Sequence, residues 1–292
     1  MNTKAKRYAP RPILTNVLYD EKDYGLFYLL DDIDVSTTKI QVDTYDINAP
    51  EIPFLLEMDT IANTKGEKGK YYFELGTTDV FKDKDGNPMP LSYAIQYPET
   101  TTTEQFSYVE NYITSCRESL IRKDLNTFSN LVDVNAFIDF FLLGELFRNT
   151  DMAGRSVFMY RSSTSGKLIF GPSWDFDYTC SRPYQMKPND DFTLDNAKDR
   201  FYNYDWWNLF LEIEGTNSLI KTRYKQFLRP IYIKEIKNAK KHFKNNEDRI
   251  KENAKIWYTK YTEETDKLIE DNYNWTFSYF KLRMEMMDEL FY

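Results

Sequence analysis

The sequence predicts a mixed α+β chain whose strands gather before residue 100 and whose helices follow it. Three observations predict this. Short β-prone runs separated by turn residues fill the first hundred positions. At Thr101 the hydrophobic period becomes helical. Further on, the almost wholly apolar run Val134 to Phe147 leads into two strand-like runs, SVFMYR and KLIF, split by the turn-rich SSTSG. The chain therefore divides into a β-rich part, 1–100, and a larger helical part, 101–292, and its 292 residues are enough for one large or two modest cores.

In order, Ile13 to Tyr19 and Leu26 to Ile33 flank DEKDYG and read as a hairpin. Pro53 to Asp59, YYFEL and LSYAIQYP read as further strands. DKDGN, Asp83 to Asn87, resembles the start of a calcium loop, but Pro88 and Ala94 stand where that loop needs Gly and Glu, so a hairpin turn is expected. TTTE, Thr101 to Glu104, offers a capping box to a helix whose apolar face is Phe106, Val109, Ile113, Cys116 and Leu120. A short helix over Leu125 to Val132 leads to VNAFIDFFLLGELF, apolar on nearly every face and so expected in a core, with Asp133 capping its start and Asn149 ending it. Beyond residue 180, SRPYQMKPND reads as a loop over the site. Trp206 and Trp207 read as packing residues, Lys234 to Lys255 as one solvated helix, and SYFKLRMEMMDELFY as an amphipathic helix folded back on the rest.

Composition excludes several functions. A net charge of −8 argues against a general nucleic-acid binder and suits a basic protein partner. Two cysteines, Cys116 and Cys180, supply neither a disulfide framework nor zinc spacing and read as ordinary thiols, Cys180 beside the acidic cluster being the one placed for a reactive role. The single histidine, His242, lies among lysines without a ligand partner and weakens any Ser-His-Asp proposal. MNTKAKRYAPRPILTN has positive charge without an apolar core of signal-peptide length, and no stretch approaches a membrane span. The 23 Tyr and 21 Phe can line a sugar cleft, which with a carboxylate pair would make a glycosidase, but distributed core packing is the ordinary use of so many rings.

The densest chemistry lies between Asn149 and Asp177. A buried helix delivers the chain to a loop with Asp151, and a hairpin then returns it to Trp174-Asp175-Phe176-Asp177. Two carboxylates on loops over a rigid scaffold suit metal-assisted phosphoryl transfer, one orienting a hydroxyl and one holding Mg²⁺. Protein kinases run in this order: helix, catalytic Asp, a metal-binding Asn five residues on, hairpin, Asp-Phe-Gly. Here Ser156 stands five residues after Asp151, and Asp175-Phe176-Asp177 stands in the Asp-Phe-Gly place. Turn-capping by these Asp residues remains the open alternative.

FIDFFLLGELFRNTD, SVFMYR and GKLIFGPSWDFD resemble the CotH family of spore-coat-associated atypical protein kinases, and the likeness runs from about Thr15 to the C-terminus. The resemblance implies an atypical protein-kinase-like fold with a reduced small lobe, ATP and Mg²⁺ as cofactors, Asp151 as catalytic residue and Asp175 as metal ligand. It places Asn149, Ser156 and Asp177 on the cofactor side, Asp31 where an acidic residue follows a tyrosine-rich strand, and Glu57 with Asp59 at another acidic pair. It implies a protein substrate, or a coat or surface protein, as partner, and a spore-coat or cell-surface location. No Gly-x-Gly phosphate loop and no Val-Ala-Ile-Lys-like strand is recognisable, and family members carry more chain ahead of this point. An active Ser/Thr kinase and an inactive, truncated or scaffold-like relative are therefore both expected readings.

Overall fold

The structure is a computed structural model, and it describes residues 7–62, 66–176, 179–180, 205–257 and 262–292. The first strands, β1 (Ile13–Tyr19) and β2 (Lys22–Leu29), form an antiparallel hairpin of their own. Asp20 and Glu21 both take positive φ, 49° and 60°, which lets two residues reverse the chain with the twist the strands need. The second strand begins four residues earlier than its apolar run suggests, because the polar Lys22 and Asp23 already pair with Tyr19 and Leu18.

A five-stranded antiparallel sheet is built from β3 (Phe54–Met58), β4 (Tyr72–Lys82), β5 (Pro88–Tyr97), β6 (Val157–Arg161) and β7 (Ile169–Phe170), in the order β4-β5-β3-β6-β7. It takes strands from both sides of residue 101. The strand β3 is central and buried on both faces, which explains FLLEM as an almost continuous apolar run. Phe54, Leu56 and Met58 face the main core, and Leu55 faces a smaller cluster with Ile40, Phe158 and Tyr160. Asp83 to Asn87 joins β4 to β5 as a turn, and the Asp83 carboxylate accepts the Asn87 backbone N–H at 2.8 Å.

Against the main face lie α1 (Thr103–Ile121), α2 (Leu125–Leu131) and α3 (Val134–Phe147). The buried residues of α1 include Phe106, Val109, Ile113, Cys116 and Leu120, the face its periodicity predicts. Its capping box sits one residue later than the sequence suggests: Thr102 and Gln105 exchange bonds, and the Gln105 amide is held further by the Ile47 and Ala49 carbonyls. Asp133 caps α3 through the Ala136 N–H at 2.9 Å.

After the site segments come α4 (Asp205–Leu211), α5 (Thr216–Arg223), a π turn at Tyr224–Leu228, α6 (Arg229–Asn245), α7 (Glu247–Trp257) and α8 (Glu263–Phe291). The π turn ends two residues before Pro230, whose ring would clash with the carbonyl one turn back in a regular helix. Trp206 and Trp207 are both fully buried, Trp206 donating to the Tyr93 hydroxyl at 2.9 Å and Trp207 stacking on Phe141 at 4.4 Å. The charge-rich stretch Lys234 to Lys255 is two helices rather than one, broken at Asn246. The C-terminal segment is the second half of α8, which buries Tyr279, Phe280, Arg283, Met286, Met287 and Phe291. The first hairpin rests on α7, where the Asn253 side chain accepts the Leu26 N–H at 2.7 Å and Phe27 meets Trp257 edge-on. Among the described residues no helix is long and apolar enough to cross a membrane.

Candidate active site

The helix α3 ends where the site begins. Arg148, not Asn149, closes it, in the left-handed conformation at φ 47° and ψ 50°. Asn149 instead opens the next element, a 3₁₀ turn over Thr150–Ala153 that carries Asp151. A residue that caps by accepting a following backbone N–H cannot also extend the helix before it, so the stop falls one residue earlier than composition alone suggests.

Asn149 is 1% exposed, and both ends of its amide are engaged. Its Oδ1 accepts the Asp151 N–H at 3.1 Å, and its Nδ2 donates to the Asp175 carbonyl at 3.0 Å. One side chain thus ties the Asp151 loop to the Asp175 loop. From the other end of the hairpin, the Ser156 hydroxyl donates to Asp175 Oδ2 at 3.1 Å. The pairing of Met159 with Phe170 and of Tyr160 with Ile169 is the cause: the hairpin reverses the chain and returns Asp175 to the segment that left α3.

Asp175 is exposed between two anchored rings. Trp174 packs against the cluster containing Phe158 and Tyr160. Phe176 meets Phe147 edge-on at 5.1 Å, and Phe147 in turn meets Phe280 of α8 at 5.3 Å. Below it, the Cys180 N–H reaches the Phe147 carbonyl at 2.6 Å. With its neighbours held on either side, Asp175 adopts φ 57°, and Ser156 adopts φ 51°. Of the seven non-glycine residues with positive φ among those described, Arg148, Ser156, Asp175 and Cys180 all flank these two loops. Such backbone is costly and concentrates where surrounding structure enforces a functional geometry.

The sheet also contacts the site loop, through residues that no local sequence pattern marks. The Thr60 N–H donates to the Gly154 carbonyl at 2.8 Å, docking the site loop on the end of β3. Gly154 sits at φ 157°, and a Cβ there would stand 2.9 Å from Leu91 Cδ2, so any other residue would have to displace that side chain and strain the backbone. Arg155 then lays its guanidinium over the Phe81 ring at 4.0 Å and donates from Nε to Thr60 Oγ1 at 3.1 Å. A glycine and an arginine between two expected site residues were the available signal.

The remaining expected residues are dispersed. Asp31 is exposed beyond β2. Glu57 accepts the Gln96 side-chain amide at 2.6 Å, and Asp59 caps its own turn through the Ile61 N–H at 3.0 Å. Cys116 and Cys180 are both buried. Asp177 and the expected loop at SRPYQMKPND lie outside the described residues. Among the described residues no three His, Cys, Asp or Glu side chains gather closely enough to hold a metal by themselves.

Beneath the site, two acidic residues of α3 are fully buried on arginines. Asp139 takes Nε and Nη2 of Arg223 at 2.7 Å each and also pairs with Arg7. Glu145 receives Arg283 Nη2 on Oε2 at 2.9 Å, and its carbonyl receives Arg283 Nε at 2.9 Å. Burial pushes the Arg283 pKa below its ordinary value.

No curated protein sequence matches the chain significantly. A family model described as CotH kinase protein matches residues 1–287, nearly the whole chain.

Proposed function

Because the chain belongs to the CotH kinase protein family, we propose that it transfers the γ-phosphoryl group of ATP to a Ser or Thr hydroxyl of a protein. A coat or surface protein is the acceptor class the family name suggests. The observation that carries this reading is the Asn149 amide, which joins the Asp151 and Asp175 loops. In this reading Asp151 accepts the proton of the incoming hydroxyl. The hydroxyl oxygen bonds to the γ-phosphorus, the bond to the β–γ bridging oxygen breaks, and ADP leaves.

The donor set suits Mg²⁺. An exposed carboxylate at Asp175 and a hydroxyl at Ser156 are hard oxygen donors, and Mg²⁺ that binds with nucleotide needs only one or two protein carboxylates beside phosphate oxygens and water. When bound, the ion neutralises charge on the β- and γ-phosphate oxygens. Asp175 and Ser156 would hold it. Asn149, on the cofactor side by resemblance, positions both loops through its two hydrogen bonds.

Incorporation of label from radioactive ATP into a basic protein tests this. Asp151→Asn and Asp175→Ala are expected to lower the rate by about 100-fold or more, the usual range for a proton-transfer or charge-stabilising group. Equal labelling by wild type and Asp175→Ala removes Asp175 from the mechanism. ATP with Mg²⁺ should also raise the melting temperature of the wild type. If it does not, a scaffold that binds a coat or surface protein without nucleotide becomes the better reading.

A further inference from the structure

A polyphosphate would bring several negative charges to loops that already carry two carboxylates, so a fixed cation beside them would favour it. Six of the eleven arginines among the described residues pair with described carboxylates. Arg7 and Arg223 pair with Asp139, Arg117 with Asp205, Arg122 with Glu118, Arg229 with Asp288 and Arg283 with Glu145. Arg155 is not among them: no described carboxylate pairs with it. It sits between Asp151 and Ser156 in sequence, its N–H bonded to the Asp151 carbonyl at 2.6 Å.

The side chain is nonetheless held in place. Phe81 supports one face of the guanidinium, and Thr60 Oγ1 takes Nε, which leaves the Nη edge to reach a ligand. Stacking on an aromatic ring and a fixed fork of donors are what distinguish Arg from Lys as a phosphate binder. The anchors lie just past the end of β3 and on β4, so the cation joins the sheet to the loop that carries Asp151.

We propose that Arg155 binds the phosphate chain of the nucleotide, supplying the charge for which no Val-Ala-Ile-Lys lysine is recognisable. The assignment rests on the phosphoryl-transfer reading above and extends it by one residue.

Calorimetry with ATP–Mg²⁺, AMP and adenosine on wild type, Arg155→Lys and Arg155→Gln tests it. Loss of a charge-assisted bond to phosphate should weaken ATP–Mg²⁺ binding by about 10- to 100-fold in Arg155→Gln. AMP should lose less, adenosine should be unaffected, and Arg155→Lys should fall between. A merely structural role would weaken all three ligands together. Thr60→Val, which keeps the charge but removes the Nε anchor, guards against poor folding of the first variants; it should weaken ATP–Mg²⁺ alone, by roughly 3-fold. If wild type binds ATP–Mg²⁺ and both Arg155→Gln and Thr60→Val bind it equally well, the Arg155 assignment is wrong while the kinase reading stands. If wild type binds no ATP–Mg²⁺, the kinase reading fails and Arg155 loses its ligand with it.

Discussion

Arg283→Met is the perturbation that most directly tests what holds the site segment in place. Arg283 and Glu145 have side-chain exposures of 0% and 1%, so their pair gains little from solvent. The change removes Nε and Nη2 donors from the Glu145 carbonyl and carboxylate while keeping an apolar chain of similar length. Each lost charge-assisted bond is worth about 1.5–3 kcal/mol. Together they agree with the ~3–5 kcal/mol typical of breaking a buried ion pair from one side. For a chain of this size the melting temperature should fall by roughly 6 °C or more. Urea and thermal unfolding of Arg283→Met, Glu145→Leu and the double variant form a cycle. The double variant should sit within about 2 kcal/mol of wild type, because a buried pair exchanged for well-packed apolar side chains is often neutral. A cost below about 1 kcal/mol for Arg283→Met, or strictly additive single effects, would refute this account of the pair.

Asp288 accepts both Nε and Nη2 of Arg229 at 2.7 Å and the Tyr224 hydroxyl at 2.8 Å. Burial raises its pKa, but these bonds outweigh burial and hold the carboxyl below its ordinary value. Its contribution is therefore present above the unfolded value, near ~3.9, and is lost as pH falls through the lower folded one. Since the pair is partly exposed, that contribution is on the order of 1 kcal/mol. Asp288→Asn should thus lower the urea midpoint at pH 7 and leave it nearly unchanged at the acid end; a loss equal at both ends would contradict this. Burial pushes the Cys116 thiol well up, and Cys180 is buried too, so a disulfide reagent at pH 8 should label neither until the protein is unfolded. Gly154→Ala forces a Cβ to 2.9 Å from Leu91 and strains φ 157°, which should cost about 1–3 kcal/mol and slow phosphoryl transfer; a variant as stable and active as wild type would show that the loop does not need this approach.

What was legible in the sequence was whatever local pattern decides. Val134–Phe147 is bounded as its apolar run suggests, and the reversal between Val157 and Phe170 follows from SSTSG. Local pattern also explains why Ser156 and Asp175 meet, since a hairpin fixes which residues at its two ends face each other. Errors of one residue arose where two caps compete, at Thr101 against Thr102 and at Asn149 against Arg148. Periodicity carries no mark of a helix break that costs no apolar residue, as at Asn246. Tertiary partners were not legible at all. Asp139 and Glu145 announce themselves as carboxylates in an apolar helix, yet Arg7, Arg223 and Arg283 lie 132, 84 and 138 residues from the groups they meet. Thr60 and Phe81 likewise have no sequence mark that links them to Arg155.

Those distant pairs explain how so greasy a helix can deliver a loop to one place. The helix α3 is surrounded by rings: Phe137 meets Phe128, Phe141, Phe170 and Phe210, and Phe141 stacks on Trp207. Dispersion between such surfaces is large but falls away gently with small shifts along or about the axis, so packing alone constrains register weakly. Ion pairs behave differently, because a buried carboxylate displaced from its guanidinium loses both attraction and solvation. Arg223 grips the helix near its middle at Asp139, and Arg283 grips it at Glu145, two residues before its end at Phe147. Two grips along one axis fix both translation and rotation. Asn149 follows directly, and through it the Asp151 N–H and the Asp175 carbonyl inherit that fixed origin. The buried charges are therefore better understood as setting where the two loops begin than as adding net stability, which an apolar replacement would match.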